Sequence, residues 1–207
     1  HNVFFHPSLE FTKAVTSDFK LILGTWWDVN SMATSTYQKI GSHIQEIDVW
    51  GGASYTMGKV TATGLYQNWM YNGHQEKAVE LKLGVDTFLK PALLVHTRFN
   101  SETGGNKNGV VAVLSAGYDF KLGPVDFSIP AGVSLETKGY HGGNAGIGYG
   151  SLGIMGTVPA PFIAKKATFT AGVTGYATNT SVIAVNKSGG GRTANYAVFT
   201  AGITIPF

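Results

Sequence analysis

The sequence predicts an all-β chain closed into an antiparallel transmembrane β-barrel, and three observations predict it. Apolar and polar residues alternate with a period of two along most of the chain, as in a strand whose successive side chains point to opposite faces. The alternating runs are about twice the five or six residues usual in a soluble sandwich and fit the roughly 9 to 11 that a tilted membrane strand needs. Charge is scarce and glycine abundant. Of 207 residues, 13% are Asp, Glu, Lys or Arg and 28 are Gly, against roughly 25% and 7% in soluble domains.

Other classes are excluded by the same arithmetic. No window approaches the roughly 18 consecutive apolar residues of a spanning helix. Zero cysteines exclude a disulfide framework, thiolate zinc sites and thiol nucleophiles. A net charge of +3, without Lys/Arg clusters, leaves no electrostatic footprint for nucleic acid. The sequence starts at His1 with no charged segment leading into an apolar one, so an export signal is expected to lie outside it or to have been removed. A single barrel domain over 1–207 is expected.

Eleven strand segments follow in order. Segments 3–15 and 18–29 meet at a tight turn, Thr16 and Ser17, and a longer connection, Asn30 to Ser42, leads on. Segments 43–55 and 58–71 meet at Thr56 and Met57; Asn72 to Gln75 leads to 76–87, which bends near Phe88 into 89–100. Ser101 to Asn108 precedes 109–121, and Leu122 with Gly123 turns the chain into 124–137. There Val125, Phe127, Ile129, Ala131, Val133 and Leu135 face one way, against Asp126, Ser128, Pro130, Gly132, Ser134 and Glu136. Lys138 to Ile147 leads to 148–158, and Pro159 to Ala164 to a long segment, 165–186, expected to project beyond the bilayer. A Gly-rich tip, Lys187 to Thr193, precedes 194–207, where Ala197, Phe199, Ala201, Ile203, Ile205 and Phe207 share the apolar face. Short turns alternating with longer loops suit a membrane barrel, the short ones periplasmic.

Parity points to one more strand. Bacterial single-chain barrels normally have an even number, and an open sheet edge in lipid leaves backbone groups unpaired at several kcal/mol each. Ten and twelve strands both satisfy parity; twelve is preferred, eleven visible and one upstream of His1.

The last eight residues, Thr200, Ala201, Gly202, Ile203, Thr204, Ile205, Pro206 and Phe207, resemble the C-terminal assembly signal of bacterial outer-membrane β-barrels, with Pro206 a departure from the pattern. Gly202, Ile205 and Phe207 carry the likeness. More loosely, the Asp18 to Asn30 stretch and the Ile47 to Tyr71 hairpin are similar to small proteobacterial barrels without an assigned activity. The resemblance implies a Gram-negative outer membrane, contact with its lipid, and recognition by the barrel-assembly machinery.

Extending the alternation inward gives an expected pore lining of Glu10, Asp28, Glu46, Asp48, Glu80, Lys82, Asp86, Lys90, His96, Arg98, Asp119, Asp126 and Glu136, with Lys20 and His6 beside them. Nine carboxylates against four permanent cations exceed what a dry core tolerates. If water fills the barrel, such a lining favours cations and makes a narrow pore for small solutes or ions. If the charges pair across strands, with Lys82 and Arg98 on sequential ones, the interior is plugged. The barrel is then structural and meets other envelope proteins through Asn30 to Ser42 or the long 165–186 arm. The pore is preferred because twelve strands enclose more space than the roughly eight that side chains just fill.

Trp26, Trp27, Trp50 and Trp69, with tyrosines near strand ends such as Tyr55, Tyr66, Tyr118 and Tyr149, suit an interfacial girdle. Trp26, Trp50 and Trp69 would equally suit a carbohydrate-stacking slide. An enzyme, for instance a lipid-modifying one, would need a Ser/His pair on the outer wall, and no motif supplies it. The Gly142 to Gly150 stretch lacks the Lys-Ser/Thr ending of a phosphate loop. His1, His6, His43, His74, His96 and His141 are too scattered for metal-ligand spacing. No catalysis, cofactor or metal is expected.

Overall fold

A computed structural model describes residues 5–29, 44–71, 73–101, 108–140, 144–179 and 194–207. The expected connection Asn30 to Ser42, the tip Lys187 to Thr193, and His1, His43 and His141 lie outside the described residues. Eleven strands form one sheet in chain order: β1 (Ser8–Ala14), β2 (Phe19–Val29), β3 (Ile44–Met57), β4 (Val60–Tyr71), β5 (His74–Val85), β6 (Ala92–Ser101), β7 (Gly109–Leu122), β8 (Val125–Glu136), β9 (Gly146–Pro159), β10 (Thr168–Thr178) and β11 (Asn195–Thr204). Every neighbouring pair is antiparallel.

Most boundaries fall where alternation puts them, and the shifts have physical causes. β3 runs on through Met57 and the turn sits at Gly58 and Lys59, because the turn needs a left-handed residue and Gly58 supplies φ +61° without a Cβ penalty. Gly123, at φ +59°, likewise moves the next turn to Gly123 and Pro124. Of the expected 165–186 segment, β10 takes Thr168–Thr178, the Thr178 amide donating to the Ala194 carbonyl at 2.8 Å, and 180–186 lie outside the described residues. At the first turn the Thr16 hydroxyl accepts from the amides of Asp18 and Phe19 at 3.3 and 3.0 Å, closing a local loop.

The two faces invert the ordinary polarity of a folded protein. On one, Leu23, Leu114, Leu152 and Phe199 are 61%, 58%, 62% and 83% exposed. On the other, Glu76, Arg98, His96 and Glu136 are 1%, 3%, 4% and 6% exposed, and Ser134 is wholly buried. Apolar side chains meet the surroundings and ionisable ones meet each other. The strands' period of two sorts the residues, so one alternation builds both surfaces.

Among the described residues the outermost strands, β1 and β11, remain unpaired along their outer edges. They nevertheless approach each other at the short-turn end. A cleft of about 710 Å³ is lined by Ser8 to Lys13, Leu21 to Leu23 and Ile203 to Phe207, and the rings of Phe11 and Phe207 meet edge-on at 5.7 Å.

Candidate functional site

Register assembles the polar face in rows that run across the strands. One row is Glu10, Gly24, Trp50, Gln67, Ala78 and Arg98. The next, nearer the long connections, is Ser8, Trp26, Asp48, Trp69 and Glu76. On the opposite side of the first row, Leu65, Glu80, His96, Val111 and Glu136 are aligned. Regular register sets Arg98 opposite Ala78, two residues along β5 from Glu76, and a β-bulge follows directly, where Lys77 pairs with Asn100.

Hydrogen bonds join these rows. Arg98 Nη1 donates to Glu76 Oε2 at 3.0 Å, and Arg98 Nη2 donates to the Tyr140 carbonyl. The Arg98 guanidinium also lies 4.3 Å from the centroid of the Tyr140 ring, so one cation is held by a carboxylate, a carbonyl and an aromatic face together. Gln67 donates to Glu80 at 3.0 Å and accepts from Trp69 Nε1 at 3.0 Å. The Tyr71 hydroxyl donates to Glu46 at 2.9 Å, and Trp50 Nε1 to Glu10 at 3.3 Å. His96 stacks on Trp69 with centroids 4.9 Å apart and planes 12° from parallel, its Nδ1 3.7 Å from Glu80. Asn179 donates to Glu136 at 3.3 Å. Burial pushes the Tyr140 phenol up to about 12, the nearby Arg98 charge opposing the rise.

The thirteen residues expected to line a pore separate into two zones. Asp28, Glu46, Asp48, Glu80, His96, Arg98 and Glu136 belong to the networked half near the long connections, with His6 Nε2 3.3 Å from Asp28. Glu10 is exposed on β1 and reaches the network through Trp50. Lys82, Asp119 and Asp126 lie in the opposite half and are exposed. Asp126 pairs with Lys121 at 3.2 Å. Asp86 and Lys90 are corrected: they belong to the turn at 86–91, not to strand walls, because Lys90 adopts φ 43° and Pro91 has no amide to donate. Lys90 pairs with Asp119, whose hydrogen bond and charge hold the ammonium above its ordinary pKa. Lys82 and Arg98 lie on the sequential strands β5 and β6, where Lys82 is opposite Thr63 and Leu94 while Arg98 pairs across to Glu76.

Sequence reasoning missed Glu76 and Tyr140 as members of the site. Glu76 shares the parity of Glu80, which marks its face, but its partner depends on which residue of β6 the register sets near it. Trp26, Trp50 and Trp69 occupy the polar face and so do not form an outer girdle. The exterior aromatics gather instead toward the short turns, where Phe88 meets Tyr118 at 5.0 Å and Phe120 stacks on Phe127 at 5.1 Å. Gly202 pairs with Thr170, while Ile205 and Phe207 lie beyond the end of β11, 48% and 86% exposed.

Trp50 depends on Gly24 directly across the sheet. A Cβ at Gly24 would lie 2.3 Å from the Trp50 ring, so only glycine leaves room for the indole to lie across β2 toward Glu10. Among the described residues no group of three or more His, Asp or Glu side chains is arranged to hold a metal ion. The chain matches no family model and no curated protein sequence.

Proposed function

We propose that the sheet is the wall of a bacterial outer-membrane β-barrel, most simply of twelve strands, and that it passes small cationic or neutral solutes through a narrow, carboxylate-rich lumen. The observation that carries this reading is the inverted polarity: exposed Leu23, Leu114, Leu152 and Phe199 against buried Glu76, His96, Arg98 and Glu136. An apolar exterior of this extent suits hydrocarbon. The open edges support the strand number. In an antiparallel succession of eleven, β1 and β11 run the same way, so one strand between them, opposite in direction, completes the pattern at the cleft they already line.

On this reading the exposed half, with Lys82, Asp119 and Asp126, is a wet vestibule, and the networked half is the constriction. Partners are membrane lipid, the assembly machinery that the C-terminal residues resemble a signal for, and the permeating solutes or ions. No catalytic step is proposed. The dry Arg98–Glu76 pair favours one alternative, a barrel plugged at that end that serves a structural or partner-binding role. Planar-bilayer recording of the refolded chain decides between them. Cation-selective steps that weaken in Asp48→Asn with Glu80→Gln support the pore; a folded barrel that stays silent supports the plug.

A further inference from the structure

We infer that the polar face around Trp69 binds an organic cation carrying N–H donors, a guanidinium or a primary ammonium, as a specific site within the proposed lumen. The inference deepens the pore reading and rests on it for access to solvent.

The polar donors flanking Trp69 are already engaged: Trp69 and Gln67 in a relay to Glu80, Tyr71 to Glu46, Arg98 to Glu76 and the Tyr140 carbonyl. Four buried polar atoms have no hydrogen-bond partner among the described residues. Asp28 Oδ1 faces His6 at 3.3 Å, and Asn68 Oδ1 belongs to a residue of the apolar face. The other two, Asp48 Oδ1 and His96 Nε2, flank Trp69: Asp48 is its partner in register across β3, and the His96 ring lies flat against it from β6.

Asp48 Oδ1 is an acceptor, and in a neutral His96 ring the Nδ1 that faces the Glu80 carboxylate at 3.7 Å carries the proton, which leaves an acceptor lone pair on Nε2. His96 is 4% exposed, too dry for a free lone pair to be without cost. What completes the site must therefore bring hydrogens, and the surrounding carboxylates, Glu46 and Glu76 among them, favour positive charge. Asp48 lies between Trp26 and Trp69 in one row, so a cation held at its carboxyl would have an indole on either side. Arg98, held by Glu76 and Tyr140, shows that this interior already accommodates one guanidinium by the same combination.

The test is isothermal titration of the folded full chain in detergent with methylguanidinium, ethylammonium, tetramethylammonium and neutral methylurea. The two N–H cations are expected to bind, tetramethylammonium more weakly because it has charge without donors, and methylurea not measurably. Asp48→Asn is expected to weaken methylguanidinium by about ten- to a hundredfold, and Trp69→Leu to weaken it as well; folding of each variant is checked by heat-modifiable gel mobility. Equal binding of methylurea and methylguanidinium, or unchanged affinity in folded Asp48→Asn and Trp69→Leu, overturns the site. Bilayer recording separates the two ideas: conductance without cation binding removes the site and leaves the pore, whereas binding by a silent barrel removes the pore and leaves the site.

Discussion

Arg98 and Glu76 form an ion pair with Nη1 3.0 Å from Oε2 and side chains only 3% and 1% exposed. A charge this dry depends on its partner. Glu76→Leu leaves the guanidinium uncompensated and is expected to cost about 3 to 5 kcal/mol, whereas Glu76→Leu with Arg98→Met recovers most of that loss. Urea unfolding of both variants beside the parent chain measures it. A single substitution costing under about 1 kcal/mol would mean that the pair is hydrated.

The contact between Gly24 and Trp50 makes a second expectation. Gly24→Ala brings a Cβ into the indole, displaces it from Glu10, and is expected to cost about 1 to 3 kcal/mol with a red-shifted tryptophan emission. Gly64→Ala is the control, because nothing lies within 4 Å of the position its Cβ would take; its effect is expected to stay near about 0.5 kcal/mol.

Leu114→Arg tests what covers the apolar face. Leu114 lies within β7, paired with Leu93 and Val133, and is 58% exposed. In hydrocarbon the substitution costs about 2 to 4 kcal/mol at the bilayer midplane. A change near zero, measured by equilibrium unfolding in phospholipid vesicles, would mean that this face meets water.

Tyr140 sets an alkaline limit. Its phenol is raised from 10.0 to about 12 by burial, so the folded chain holds that proton more tightly than the unfolded one. The resulting stability is complete below pH 10 and declines as pH rises from 10 to about 12. Tyr140→Phe is expected to make that decline shallower in unfolding experiments across the same range.

Among the described residues the eleven strands, their order and their facing were legible because a period of two carries them residue by residue. Asp48, His96 and Glu136 fell on the face that alternation assigns. The partnerships were not legible, because they depend on register, and the bulge at Lys77 and Ala78 shifts register in a way no single strand records. Arg98 sits opposite Ala78 and reaches diagonally to Glu76, whereas Lys82 lies opposite Leu94. Turns at Gly58 and Gly123 were misplaced by a residue or two for a related reason: the left-handed glycine, not the last alternating residue, sets where the chain reverses. Trp26, Trp50 and Trp69 were drawn outward by residue type, although their parity already matched Asp28, Asp48 and Gln67.

The greasy exterior has a consequence for how such a chain is handled before it folds. Leu21 and Leu23 are separated by Ile22 on the other face, but Phe199, Ala201 and Ile203 are separated by Thr200 and Gly202, and most strands follow this second pattern. Stretched out, the polypeptide presents only short apolar runs, such as Val110 to Leu114, far below the roughly 18 residues of a spanning helix. The apolar face is created by strand pairing itself, so on the membrane reading proposed above, passage through water and residence in a nonpolar phase impose no conflict on one sequence.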